Sequence, residues 1–178
     1  MRRIADLIPP SARTPGLSLG ELQQAEHAAK ARFPPDLRDL LTDTLPTGNG
    51  WPDWRHHPEE TMAAWRERLR LGLLDDVADN GFWLAEWGEK PDNVDEICDV
   101  VNDALARAPQ LIPVYGHRAM PNEPMLPGNP VFSVVQSDVI VFAASLREFA
   151  INEFHQRPPG ATVVHTAPVR SIRFWSQL

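Results

Sequence analysis

The sequence predicts a single α+β domain, on three observations. Between about residues 18 and 107, four stretches place apolar side chains at helical intervals. From "LIPVYG" onward the pattern changes to short β-branched and aromatic runs, and one more helical stretch follows them. The 178 residues, 43% hydrophobic and 23% charged, suit one globular core.

Residues 1–16 read as a poorly ordered lead-in and 17–178 as the domain. In "SLGELQQAEHAAKARF", Ser18 and Glu21 have capping-box spacing. Leu19, Leu22, Ala25, Ala29 and Phe33 give the apolar stripe, and Pro34 ends the helix because it restricts the residue before it. Pro35 then opens "PDLRDLLTD", with Leu37, Leu40 and Leu41 inward. "TLPTGNGWPDWRHHP" is loop by composition. A third helix spans about Pro58 to Asp76 on Met62, Trp65, Leu69 and Leu73. "FWLAEW" fits a short strand or an aromatic turn equally well. "DNVDEICDVVNDALARA" is a helix with Val94, Ile97, Val101, Ala104 and Leu105 on one side.

"YGHRAMPNEPMLPGNP" reads as a Pro/Gly-rich loop carrying His117 and Arg118. "PVFSVV" and "VIVFA", separated by "QSD", read as a hairpin, largely apolar on both faces and so covered by helices on at least one side. "SLREFAINEFHQ" repeats the capping-box spacing with Ser145 and Glu148, and turns Leu146, Phe149, Ala150 and Phe154 inward. "TVVH" is a further strand, and "VRSIRFWSQL" closes the chain without a clear pattern.

The formal net charge is −7, from 17 Lys+Arg against 24 Asp+Glu. Such a balance speaks against a nucleic-acid or anionic-membrane footprint, which requires clustered cations. It suits a basic partner better than an acidic one, although a modest acidic excess is first of all a common solubility device. Cys98 is the single cysteine, so an intramolecular disulfide and a Cys-based zinc site are excluded. The N-terminus lacks the apolar run of a signal peptide, and no run of about 18 apolar residues occurs. The expected location is cytoplasmic. Eighteen prolines punctuate short elements, and six tryptophans supply both core and interface candidates.

Chemistry-bearing residues form no coherent catalytic motif. Ser133 lacks a G-x-S-x-G context and falls within an expected strand. Ser137 and Asp138 sit where a hairpin turn uses such side chains to bond nearby backbone. His56 and His57 are adjacent and diverge, and His27, His117, His155 and His165 show no H-E-x-x-H spacing. Asp75, Asp76 and Asp79 offer carboxylates for Mg²⁺ or Ca²⁺, or simply a solvated acidic helix end, and the EF-hand pattern is absent. "TGNG" lacks the Walker lysine. Arg118 either clamps an anion or pairs with a carboxylate of its own chain. Trp65 and Trp83 read as core, whereas Trp51, Trp54 and Trp87 stand in loop contexts.

Taken in order, "LSLGELQQAEHAAKARFPPDLRDLL", "GFWLAEWGEKP", "LIPVYGHRAMP" and "GNPVFSVVQSDVIVFAASLREFAINEF" resemble the SUKH superfamily. Within it they are most similar to the branch named for fungal cell-wall-assembly (glucan-synthesis) regulators. The resemblance runs from about Leu17 to Phe154 and reaches "IRFWSQL". It is thinnest after Phe154 and in the Trp-rich loops around 51–54 and 83–87. It implies helices packed around a small, mainly antiparallel sheet. It also implies a non-catalytic, cofactor-free protein-binding role: many bacterial members are thought to be immunity proteins against polymorphic toxins, and fungal members are regulatory hubs. The resemblance transfers no catalytic residue.

The leading expectation is therefore a protein-binding module, facing another protein such as a basic toxin domain, with no nucleic acid, membrane, metal or cofactor. Its contact residues are expected to be Trp51, Trp54, Trp87, Tyr115, His117 and Arg118, because aromatic and arginine anchors most often dominate binding energy. The alternatives are a hydrolase built on His117, Ser133 and Asp138, and a sensor of a small anionic ligand through Arg118.

Overall fold

A computed structural model describes residues 3–155, 165 and 168–178. It contains five α-helices and two antiparallel sheets, a mixed α+β fold. The proposed strand "TVVH" falls, apart from His165, outside the described residues.

Residues 3–15 depart from the expected loose lead-in. Short 3₁₀ turns over Ile4–Leu7 and Pro10–Ala12 bury Ala5, Leu7 and Ile8, and strand β1 (Arg13–Pro15) pairs with β2 (Thr44–Pro46). Pro10 opens the second of these turns, and three buried apolar side chains supply the burial that holds the segment.

Helix α1 (Leu19–Ala28) starts at the expected capping box: Ser18 Oγ accepts from the Glu21 amide, and Glu21 accepts from the Ser18 amide at 2.7 Å. Such a cap stabilises by about 1 kcal/mol. The helix ends at Ala28, ahead of the proline, where Lys30 takes a positive φ of 49°. Leu19, assigned to the inward stripe, is 70% exposed because the first helical position points away from the core; Leu22, Ala25, Ala29 and Phe33 are buried.

Helix α2 (Pro35–Asp43) buries Leu37, Leu40 and Leu41 as expected. Helix α3 (Pro58–Asp79) buries Met62, Trp65, Leu69 and Leu73 and runs a turn beyond its expected end. Residues of "FWLAEW" settle as a 3₁₀ turn over Ala85–Trp87 rather than a strand. Helix α4 (Val94–Arg107) is capped by Asn93, whose Oδ1 accepts from the Asp95 amide; Val101 is buried, but Val94 is 69% exposed at the helix start.

The main sheet is a four-stranded meander of β3 (Leu111–Tyr115), β4 (Arg118–Pro121), β5 (Val131–Val135) and β6 (Asp138–Ala143), each antiparallel to its neighbour. Strand β4 corrects the reading of "YGHRAMP" as loop. Four residues with a proline at the end give too little alternation to reveal it, and pairing with β3 and β5 decides its conformation. Helix α5 (Leu146–Phe154), capped by Ser145, packs on β6 and on the N-terminal 3₁₀ turn. One apolar cluster joins all layers, including Ile172, Phe174 and Trp175 of the C-terminal segment.

Candidate functional site

Sheet register assembles much of the candidate site. Tyr115 pairs with Arg118, Arg118 with Ser133, and Ser133 with Ile140, so one transverse row crosses all four strands. Directly paired residues project to the same face, which brings these side chains into one line. An irregularity between Pro113 and Tyr115 is what sets Tyr115 opposite Arg118.

Arg118 is the hub of this row, although its side chain is only 15% exposed. Its Nη1 donates to both Ser133 Oγ and His117 Nε2. Its guanidinium carbon lies 3.9 Å over the Phe142 ring, and its Nε faces Glu153 Oε2 of α5 at 3.7 Å, an ion pair beyond hydrogen-bond reach. Burial pulls the Arg118 pKa down, and Glu153 opposes that shift. The side chain thus joins β4, β5, β6 and α5, the internal role that competed with anion clamping.

His117 accepts from Arg118 through Nε2, which assigns its proton to Nδ1. Its pKa is lowered, first by burial and then by the charges of Arg118 and Arg68, with Glu153 acting the other way. His117 and Ser133 therefore do meet, but through a cation that donates to both. Asp138 pairs with Val135 beyond them, and among the described residues no hydrogen bond joins it to either. A hydroxyl that accepts from a guanidinium is not being deprotonated by a base.

Tyr115 lies 4.8 Å from Trp51 and 5.4 Å from Phe154, ring to ring, and Trp51 stacks on Phe154 at 5.5 Å. The backbone is held close here: Gly116 donates to the Gly50 carbonyl at 2.7 Å, and a Cβ on Gly50 would stand 2.7 Å from the Tyr115 ring. Trp54 is a correction. It is 2% exposed, packed at 4.7 Å on Phe33, and belongs to the core. A neighbouring loop composition concealed an inward tryptophan.

The exposed side of α3 completes the site. Ala64, Arg68, Leu71 and Asp75 follow helical spacing opposite the buried stripe. A hollow of about 340 Å³ beside Trp51, Pro113 and Gly116 meets another of about 570 Å³ beside Leu71, Val135 and Gln136; both are lined by Ala64 and Arg68. Together they form a shallow groove along α3. Leu71, Val135 and Ile140 are 45%, 49% and 54% exposed. Sequence reading passed over Leu71 and Arg68; a leucine on the polar side of an otherwise regular stripe was the available signal.

The groove is braced from one end. Asp76 accepts from the Ser137 amide at 2.8 Å, the Ser137 hydroxyl at 2.5 Å and Asn80 Nδ2 at 2.6 Å. These bonds, those of Ser137 first, hold its carboxyl below the usual carboxylate value. Asp76 is therefore a buried clamp and not part of a solvated acidic end, and Ser137 bonds α3 rather than its own turn. Asp75 and Asp79 remain exposed.

Trp87 stands apart from this groove. It packs edge-on against Phe82 at 5.7 Å and Trp83 at 5.1 Å, and it lines a cleft of about 590 Å³ between α4 and the C-terminal segment. Trp83, expected in the core, is only half-buried in this satellite cluster.

Among the described residues no helix is long and apolar enough to cross a membrane, and no group of three or more His, Cys, Asp or Glu is placed to hold a metal ion. In comparison with known proteins, no protein family, no curated protein and no solved structure matches the chain.

Proposed function

We propose that this chain is a non-catalytic protein-binding module of the SUKH type, and that the α3 groove is its binding surface. The observation that carries the reading is the combination of an open, mainly apolar groove with Asp76 and Arg118 Nη1 already engaged inside the fold. Leu71 and Val135 offer apolar area, Trp51 supplies a rigid aromatic contact and Arg68 polar recognition, while Tyr115 packs on Trp51 and His117 bonds to Arg118 beside the groove. A surface of this composition matches the core-and-rim pattern of specific protein interfaces. Arg118 acts as a positioning residue beneath it.

The roles the resemblance implies, an immunity protein that neutralises a toxin or a regulatory interaction protein, are the two forms this binding would take. The geometry lends no support to a hydrolase on His117, Ser133 and Asp138, because the hydroxyl and imidazole both accept from Arg118. Anion sensing through Arg118 is disfavoured because the side chain is only 15% exposed, its Nη1 donates to His117 and Ser133, and Glu153 stands 3.7 Å from its Nε.

Capture of the tagged full chain from its native cytosol, followed by mass spectrometry at moderate salt, tests the reading. One stoichiometric protein partner is the expected result. Recovery of no partner across growth conditions counts against it.

A further inference from the structure

Negative charge on this chain is concentrated in one stretch. Between Glu86 and Asp103 stand seven acidic residues (Glu86, Glu89, Asp92, Asp95, Glu96, Asp99 and Asp103) and one basic residue, Lys90. Their net −6 accounts for almost all of the −7 carried by the whole chain. All seven are exposed.

Their charges are little used within the fold. Asp103 pairs with Arg107 at 3.4 Å, both side chains 74% exposed, and among the described residues no ion pair reaches the other six. Lys90 points elsewhere, donating to the Val77 carbonyl at 2.8 Å at the end of α3. Helix stability explains only part of the set. Asp95 and Glu96 occupy the first turn of α4, where the helix dipole favours a carboxylate. Asp99 gains nothing from that field, and Asp103, near the C-terminal end, is opposed by it.

The acidic face borders the cleft beside Trp87. Glu86, Asp99 and Asp103 form part of its wall, together with Trp87 and Phe174. Arg107 and Arg173 line it too, tied together by a hydrogen bond from Arg173 to the Arg107 carbonyl at 2.5 Å. This cleft shares no lining residue with the α3 groove.

We infer that the exposed face of α4 and the Trp87 cleft receive a basic segment of a partner protein, one Lys or Arg side chain seating against the Trp87 indole between Glu86, Asp99 and Asp103. A cation over an indole flanked by carboxylates gains both from the ring quadrupole and from charge. Arg107 and Arg173 repel a cation at the other end of the cleft and so set the direction of the segment. The unpaired carboxylates outside the cleft speed encounter with a positively charged surface. The inference deepens the binding reading and rests on it for the existence of a partner.

The test is an NMR titration of the ¹⁵N-labelled full chain with a blocked peptide of arginine, lysine and glycine, beside a counterpart carrying glutamate in place of the cations. Expected are shifts confined to residues 86–107, the Trp87 indole N–H and the C-terminal segment. Affinity is expected to fall about tenfold or more in moderate salt, and by a similar factor in E86Q/D99N/D103N, while the glutamate peptide gives no shifts. The three substituted residues are exposed; should the triple variant melt early, the single Asp99→Lys variant serves in its place. Absence of shifts, shifts spread evenly over Glu59, Glu60, Asp75 and Asp79, or undiminished affinity in the variant overturns the inference. Leu71→Glu in the α3 groove leaves these shifts unchanged, so failure here is separable from failure of the groove as a binding surface.

Discussion

The carboxylate of Asp76, in the last turn of α3, holds the tip of the β5–β6 hairpin by accepting from both the amide and the hydroxyl of Ser137. Two bonds to a buried charge fix the helix against the sheet and so fix the shape of the groove. Asp76→Ala is expected to destabilise the fold by about 2–3 kcal/mol, and Ser137→Ala by about 1 kcal/mol, since the first substitution takes the acceptor from three donors, two on Ser137 and one on Asn80. Chemical denaturation measures both.

The same clamp has a pH signature. The folded pKa of Asp76 lies below its ordinary value of 3.8, so the unfolded chain takes up the proton first as pH falls. The stabilisation is complete above the unfolded pKa and is lost as pH drops through the folded one. Unfolding midpoints followed into the acid range should decline less steeply in Asp76→Asn than in the native chain. Equal slopes would show that the clamp contributes nothing to acid stability.

Gly72 is needed for the same contact. A Cβ at this position would stand 2.9 Å from the Gln136 Cα, in the turn where Gln136 itself holds a φ of 55°. Alanine in a helix interior normally stabilises by up to about 1 kcal/mol relative to glycine. Here the contact is with backbone, so Gly72→Ala is expected to lower the melting temperature and to shift hairpin amides in NMR spectra. A higher melting temperature would contradict the packing described for α3 and the hairpin.

His117 should stay neutral further into acid than an ordinary histidine, because its burial and the Arg118 and Arg68 charges all oppose protonation. The unfolded chain binds its proton first, so its stabilising contribution is present above about pH 6.5 and declines below. Imidazole ¹⁵N shifts recorded against pH are expected to give a midpoint below that value and the Nδ1–H tautomer at neutral pH. Arg68→Ala should move the midpoint upward.

Local signals were the legible ones. Ser18 with Glu21, Ser145 with Glu148, and the stripe from Met62 to Leu73 each specify a helix through bonds or spacing a few residues apart. The site depended on pairing across the chain, which spacing does not reveal. Arg118 looked like a loop residue until β4 joined the sheet, and Asp76 looked solvated until Ser137 met it from 61 residues away. Trp54 and Trp51 share one loop, yet packing on Phe33 buries the first completely while the second, on Tyr115 and Phe154, is only half-buried. The charge concentration of 86–103 could be counted directly from the sequence; its meaning depended on how few of those carboxylates the fold uses.

Binding through the α3 groove is tested most directly by the affinity of the captured partner for the native chain and for Leu71→Glu, Val135→Glu and Trp51→Ala variants, each checked for an unchanged melting temperature. Leu71 and Val135 are exposed, so their replacement should leave the fold intact while burying a charge in the interface. A loss of about tenfold or more in each Glu variant, and a smaller loss for Trp51→Ala, is the expected result. Native affinity in all three would contradict the groove as the binding surface.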